Sequence, residues 1–241
     1  MGLASIAKKT HWLGVALLFI ASICMLFATI SAPIMNHNAL LHVSLPMGTS
    51  RHPASVSFGT YGYCVLNTGS NNNIDSCTKH HLGYSPARVM ERINREDYSD
   101  MASGTSASLT RVMVLHPVVT GLAFIAFLLS LGSGIIGSLA GALVAAVSWV
   151  LTLIALACDF SLFGIVRHHV NEDGTGSHAY FGSAIWLVLA SFVLLFFGMI
   201  IVLFTSFSVR REKKRDKAAQ KDERYPAAAA AAPKKKRFGI F

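Results

Sequence analysis

The sequence predicts an all-α membrane protein, a bundle of four transmembrane helices with a small extracellular β-hairpin held by a disulfide. Three observations favour this architecture. The 241-residue chain is 53% hydrophobic and only 14% charged, whereas soluble domains carry about a quarter charged residues. Charged residues avoid three long stretches, where lipid would make each one cost roughly 3 kcal/mol. Two of the four cysteines fall together in one long polar loop.

The first predicted span covers residues 12–32 and follows a short cytosolic N-terminus, residues 1–11. About 20 residues, rising 1.5 Å each, cross a hydrocarbon core of roughly 30 Å. A cleaved signal peptide is the alternative, since Ala28 and Ser31 are small enough for a cleavage site. The apolar core of a signal peptide is normally about 7–15 residues, however, so the length of this run favours an uncleaved span.

Three further apolar segments predict the remaining spans, at residues 112–131, 135–159 and 180–207. Only residues 132–134 separate the first two, which leaves room for nothing but a tight helical hairpin. One continuous helix is excluded, because about 45 residues would extend over roughly 65 Å. Trp186 lies near the start of the last span, where an amphipathic ring favours the membrane interface.

The distribution of Lys and Arg predicts the orientation. Residues 210–241 hold twelve of the 21 basic residues and four acidic ones, so eight of the nine net positive charges lie there. Four spans place both termini on one side, and the positive-inside rule makes that side cytosolic. Residues 33–111 and 160–179 are then extracellular loops, and residues 208–241 form a basic, disordered cytosolic tail. Basic residues beside a membrane span usually set the topology and bind anionic lipids, so no nucleic-acid partner is predicted.

A second basic cluster lies near the end of the tail, far from the charges that follow the last span. Its members are Lys234, Lys235, Lys236 and Arg237. The flanking Phe238 and Phe241 favour contact with anionic lipids of the inner leaflet, at about 1 kcal/mol per basic residue near the surface. A nuclear-import signal has a similar composition, but four spans would anchor the chain in a membrane.

Cys64 and Cys77 lie in the first extracellular loop, in an oxidising compartment. Two thiols there are expected to form a disulfide, although two free thiols remain the alternative. Closing so short a loop would contribute about 3 kcal/mol in the chain-entropy description. The glycines and aromatics of residues 58–67 predict a short strand, and residues 69–73 read as a turn, so the disulfide would staple a hairpin.

Four sequence blocks occur in a specific order and spacing. The first contains Gly59, Tyr61, Gly62 and Tyr63 before Cys64, and continues after Cys77 to Gly83 and Tyr84. The others are residues 114–122, 158–167 and 182–187. Over about residues 9–210, these blocks resemble the PalI family of fungal membrane proteins, which are claudin-like and have four spans.

This resemblance implies a non-catalytic plasma-membrane protein of the ambient-pH signalling pathway, which assists or stabilises a seven-span pH sensor at the cell surface. Relatives of the same broad family occupy static membrane domains and influence the cell wall. A self-associating organiser of membrane domains, supporting wall integrity and stress tolerance, is therefore the alternative function. No enzyme activity or cofactor is expected, because Ser, His and Asp form no nucleophilic arrangement and no phosphate loop or zinc-protease motif occurs.

Small residues recur every four positions along one face of the third predicted span, including Gly137 and Gly141. This spacing lets helix backbones approach closely. Packing within the four-helix bundle is one interpretation. A contact with another membrane protein is the other.

Asp159 is the acidic residue at the outer end of the third span, and a carboxylate there needs a partner or water. A solvated interfacial position is one interpretation. A pair with His116 or with Arg167 is the other, and it would tie helix ends together. Histidine as a residue type changes charge at about pH 6.5, so pH sensing by the outer histidines is one interpretation. Without a tight Cys/His cluster, these histidines predict no metal site.

Overall fold

The computed structural model describes seven ranges of the chain: residues 2–35, 38–49, 52–67, 75–79, 83–94, 100–132 and 135–230. Within them the chain forms six helices, α1 Gly2–Thr29, α2 Pro86–Asn94, α3 Asp100–Val112, α4 Leu115–Leu131, α5 Ile135–Glu172 and α6 Ser183–Ala230. The five strands are β1 Leu41–Thr49, β2 His52–Phe58, β3 Tyr63–Leu66, β4 Ser76–Cys77 and β5 His178–Phe181.

Four helical segments are long and apolar enough to cross a membrane, which confirms the predicted four-span bundle. They are Lys9–Thr29, Ala107–Leu131, Gly137–Glu172 and Ser183–Arg211. In the bundle, α1 packs against α4 and α6, and α5 packs against the same two helices. Each helix therefore has two neighbours and turns its remaining surface outward, where large apolar side chains such as Phe124 and Phe204 are exposed.

Two helices are longer than the sequence predicts. Helix α5 continues past the expected end at residue 159 to Glu172, because Phe163 and Val170 of its extension pack into the core beneath the sheet. Helix α6 continues past the expected end at residue 207 to Ala230. This corrects the expectation of a disordered tail for residues 211–230. The segment is rich in Lys, Arg and Ala, strong helix formers that extend an existing helix without a new nucleation step.

The two long loops that leave one end of the bundle form an antiparallel sheet with the strand order β4-β3-β2-β1-β5. The predicted hairpin is its β3–β4 corner, where Cys64 pairs with Cys77. Strands β1, β2 and β5 enlarge the sheet beyond that hairpin. Strand β5 brings the second of these loops against the first through pairs such as Leu41 with Phe181. Residues 69–73, the predicted turn, lie outside the described residues.

Alternation along β1 and β2 sends every second side chain inward, as a half-buried strand requires. Leu41, Val43, Val56 and Phe58 line this inner face and are essentially inaccessible to solvent. They pack on α2, α3 and the outer ends of α5 and α6 in one continuous core. We call the sheet, α2, α3 and these helix ends the outer domain. A second core lies between the four spanning helices.

Candidate functional site: the junction between the outer domain and the bundle

The disulfide holds the outer edge of the sheet. The sulfurs of Cys64 and Cys77 are 1.98 Å apart, which confirms the predicted bond. Cys64 is fully buried, whereas Cys77 is exposed in the two-residue edge strand β4. Thr78 adds a second link, because the Tyr63 backbone N–H donates to its hydroxyl at 3.1 Å. The bond thus fixes a strand that is too short to hold its own register.

Gly59 and Gly62 of the loop signature lie where the end of α1 meets the sheet. A Cβ at Gly59 would clash with the backbone of Ala32, just beyond α1, so this position admits only glycine. The Gly59 N–H donates to the Gly62 carbonyl at 2.8 Å, which closes the turn after β2. Gly83 has a φ of +81°, a conformation that side-chain-bearing residues rarely adopt. The signature therefore encodes a close approach of backbones.

Tyr84 is the anchor of this turn. It is 5% exposed, and its hydroxyl donates to the Gly59 carbonyl at 2.6 Å. Its ring stacks on Phe58 at 6.4 Å between centroids and tilts against Tyr63 at 6.0 Å. Burial raises the pKa of the phenol far above its usual range, and the charge of Asp159 adds to the shift. Tyr84 therefore acts as a neutral hydrogen-bond donor. Burial also raises the pKa of the half-buried Tyr61.

His116 and Asp159 form a buried pair at the outer end of the bundle. His116 Nε2 lies 3.0 Å from Asp159 Oδ2, with the two side chains 0% and 2% exposed. His116 Nδ1 donates to the Met113 carbonyl at 3.1 Å. The solvated alternative for Asp159 is therefore wrong. Arg167 points elsewhere, with its guanidinium 5.1 Å from the centroid of the Phe181 ring.

Hydroxyl groups extend this pair toward α1 and the sheet. The Thr120 hydroxyl donates to the His116 carbonyl at 2.8 Å and lies 3.0 Å from the Thr29 hydroxyl. The Thr60 hydroxyl, in the turn after β2, lies 3.1 Å from both the Ala28 carbonyl and the Ser31 hydroxyl. These contacts join the outer ends of α1 and α4 to the sheet through buried hydrogen bonds, which are costly to break.

Asn38 is a junction residue that the sequence reasoning missed. Its amide nitrogen donates to the Phe27 carbonyl of α1 at 2.7 Å, and its oxygen accepts from the Ser183 hydroxyl of α6 at 2.9 Å. Beside it, Gly182 packs so closely on Ala39 that a Cβ would clash with the backbone. The sequence signal that could have indicated Asn38 was a polar residue between a span and a strand. Its partners, Phe27 and Ser183, come together only in the fold.

The small-residue face of the third span points into the bundle. A Cβ at Gly141 would lie 2.9 Å from the Ala126 carbonyl oxygen, and one at Gly137 would lie 3.2 Å from the Leu129 carbonyl oxygen, both on α4. This places both glycines against the backbone of α4, as the internal-packing interpretation expects. Sequence reasoning missed a similar contact, where Gly14 of α1 packs closely against Gly198 and Ile201 of α6.

A second polar cluster closes the opposite end of the bundle, away from the outer domain. The His11 ring lies 3.1 Å from the Thr205 hydroxyl and 3.2 Å from the Ser130 carbonyl, which links α1 to α6 and α4. The Ser138 and Ser206 hydroxyls are 2.6 Å apart and link α5 to α6. Sequence reasoning did not single out these residues, because single hydroxyls in apolar spans carry little pattern.

Two further predictions concern the basic cluster of the tail and the absence of a metal site. The basic cluster Lys234–Arg237 lies outside the described residues. Within the described ranges, no three His, Cys, Asp or Glu side chains come together as a metal site.

Comparison with known proteins gives two matches. The sequence model of the SUR7/PalI family matches residues 10–207, which include all four spanning segments except for a few terminal residues. A pH-response regulator protein, palI/prr-5 from Neurospora crassa, is 27% identical over 115 residues. That alignment covers 48% of this chain and only 14% of the Neurospora protein.

Proposed function

Because the chain belongs to the SUR7/PalI family, we propose that it is a non-catalytic accessory protein of the plasma membrane that assists the response to ambient pH. The family match carries this proposal, since it spans both the bundle and the outer domain. The name of the Neurospora relative supports the pH-related role. The chain is a multi-pass membrane protein, and the proposed orientation places both termini in the cytosol.

The proposed mechanism is stabilisation of a seven-span pH sensor at the cell surface. Two features support it. The junction residues join the outer domain to the bundle, so the chain offers a rigid body rather than a mobile linker. The outward surface of the bundle is apolar, with large exposed side chains such as Phe124, Phe197 and Phe204. Such a surface binds lipid and also accepts the helices of a second membrane protein by close packing.

The proposal extends to the inner leaflet. Helix α6 emerges with a basic segment in which Arg211, Lys214 and Arg215 are exposed, and the cluster Lys234–Arg237 follows. Anionic lipids would attract both. In nanodiscs, protease cleavage of the tail should be slower with anionic than with neutral lipid. Changing the four distal basic residues to Gln should reduce that difference, whereas equal protection in neutral lipid would rule out the electrostatic account.

Deletion of the gene tests the function. We expect poor growth at alkaline pH, weak activation of the transcription factor of the pathway, and a lower surface level of the sensor. Re-expression of the wild-type chain is the control and should restore all three. Normal activation together with wall defects and static membrane patches would contradict the accessory role and favour a self-associating organiser of membrane domains.

A further inference from the structure

The hydrogen-bonding geometry of the His116–Asp159 pair determines how many protons it holds. His116 Nδ1 faces the Met113 carbonyl at 3.1 Å, and a carbonyl only accepts, so Nδ1 carries a proton. His116 Nε2 faces Asp159 Oδ2 at 3.0 Å, so a second proton lies between these two atoms. Whether the imidazole or the carboxyl group owns the shared proton, the closed pair is neutral as a unit.

Because the closed pair is buried, it cannot lose its shared proton without leaving a charge away from water. His116 is fully buried and Asp159 is 1% exposed. Without the shared proton, a carboxylate would face the lone pair of Nε2 away from water. An uncompensated buried charge is strongly destabilising. The shared proton therefore leaves only when the pair separates and Asp159 reaches water.

The described ionisable groups around the pair do not take the place of the His116 imidazole as the hydrogen-bond partner of Asp159. Tyr84 is a neutral phenol whose pKa is raised by burial and by the charge of Asp159, and Cys158 precedes Asp159 on α5. On the neighbouring elements, Arg111 is exposed and packs over Gly83, and Arg167 packs over Phe181. Other described groups are partly or fully exposed on α2 and β5, namely Arg88, Glu91, Arg92, His178 and Tyr180. Those on α1 and α6 lie at the cytosolic end, namely Lys9, His11, Arg210 and Arg211.

The pair occupies the point where the outer domain joins the bundle. Met113, which accepts from His116, lies in the turn between α3 and α4. One turn earlier, the Thr110 hydroxyl donates to the Tyr84 carbonyl at 2.6 Å, and Tyr84 in turn holds Gly59 beside the sheet. Separation of His116 from Asp159 would therefore release the α3–α4 turn that connects a spanning helix to the outer core.

We propose that the His116–Asp159 pair is a proton-dependent latch between the outer domain and the bundle, which opens as the outer medium becomes alkaline. An imidazole in water loses its proton near about pH 6.5, whereas a carboxylate stays ionised. Above that pH the closed pair holds one proton more than the open pair, so rising pH favours opening, by up to about tenfold per pH unit. The use of this latch as a signal rests on the proposed pH-response role, but the latch itself does not.

Hydrogen–deuterium exchange of the full chain in nanodiscs tests the latch. After correction for the intrinsic effect of pH on exchange, the opening constant of residues 110–120 should rise by up to about tenfold per pH unit above pH 6.5. In Asp159→Asn, an amide can donate to Nε2 without a shared proton, so opening should not depend on pH. Equal pH dependence in the two proteins would overturn the proposal.

The chain supplies a matched control. His168 Nδ1 lies 3.2 Å from Glu172 Oε1, but these side chains are 63% and 66% exposed. Water can hydrate both charges there, so His168→Gln should leave the opening of residues 110–120 and its pH dependence at wild-type values. A His168→Gln effect as large as that of Asp159→Asn would show that the response is not specific to the buried pair, and would overturn the latch.

A second measurement needs no variant and covers the case in which Asp159→Asn fails to fold. Nitrogen-15 NMR of the histidine-labelled chain should show that His116 keeps both hydrogen bonds above about pH 6.5, where an imidazole in water has lost its second proton. Loss of the second proton of His116 in that range, without opening of residues 110–120, would overturn the latch. The deletion experiment separates the two proposals. If the latch opens at alkaline pH in nanodiscs but deletion of the gene leaves alkaline activation normal, the proposed function is refuted and the latch is not.

Discussion

The outer core and the bundle core are built from different side chains. The outer core buries large residues, including Phe58, Met90 and Phe163, which are all inaccessible to solvent. The bundle core buries six alanines, Ala21, Ala28, Ala123, Ala126, Ala142 and Ala145, and no aromatic ring is among its fully buried members in the described part of the chain.

The solvent on the outside of each core explains this difference. Water surrounds the outer domain, so burying a large apolar side chain there gains roughly 1.5–3 kcal/mol. Lipid surrounds the bundle and is as apolar as leucine, so burial alone gains little, and close contact of small residues and interhelical hydrogen bonds hold the helices together. Ser191 shows the second device, since its hydroxyl donates across the bundle to the Ala21 carbonyl at 3.0 Å.

Truncating a large side chain in each core gives the largest contrast. Phe58→Ala should destabilise the outer domain by about 3–5 kcal/mol, because it loses burial from water and leaves a cavity. Leu18→Ala, at a fully buried position of the bundle core, should cost less, because it loses only packing contacts. Denaturant titration in nanodiscs, followed by proteolysis of the outer domain, measures both. Equal costs would break the comparison.

Removal of the disulfide affects the outer domain alone. Cys64→Ser should destabilise it by about 3 kcal/mol, because the unfolded loop is no longer constrained. The bundle, which contains no part of this loop, should keep its stability in the same titration. Cys24→Ser removes a half-buried free thiol of α1 and is the control. A loss of bundle stability in Cys64→Ser would show that the two cores fold as one unit.

Replacing glycines by leucine tests which surfaces of the spanning helices are closely packed. Gly141→Leu should cost about 1–3 kcal/mol through overpacking against α4. Gly121→Leu should be close to neutral, because a Cβ there meets no atom within 4 Å and the residue is exposed. The surface level of each variant and its resistance to denaturant provide the measurement. Equal damage from both substitutions would mean that Gly121 contacts another protein, while a harmless Gly141→Leu would disprove the close approach of α4 and α5.

The smallest effect concerns one hydrogen bond of the outer core. Tyr84→Phe should cost about 1 kcal/mol, because the Gly59 carbonyl loses a donor. Burial raises the pKa of Tyr84, so the unfolded chain ionises first and the phenol stabilises the fold fully below about pH 10. Part of this stability is lost as the pH rises further. Unfolding measured across that range should show a steeper alkaline loss in wild type than in Tyr84→Phe, and parallel curves would contradict the buried phenol.

The helical spans, the stapled hairpin and the family resemblance were readable from the sequence because each depends on local pattern. Length and hydropathy identify a span without knowledge of its neighbours. The four-residue spacing of Gly137 and Gly141 predicted a close helix contact, but only the structure shows that the contacting helix is α4. Asn38, Gly14 and His11 escaped sequence reasoning, because each acts through partners that lie far away in the chain.

The sequence by itself determined where this chain crosses the membrane, because transfer between water and lipid acts on each segment separately. It also determined that Cys64 and Cys77 share the loop between the first two spans. Only the tertiary structure decided that His116, rather than Arg167 or water, would partner Asp159. Those two residues stand 43 positions apart on separate helices, and only the packing of α4 against α5 brings them into contact.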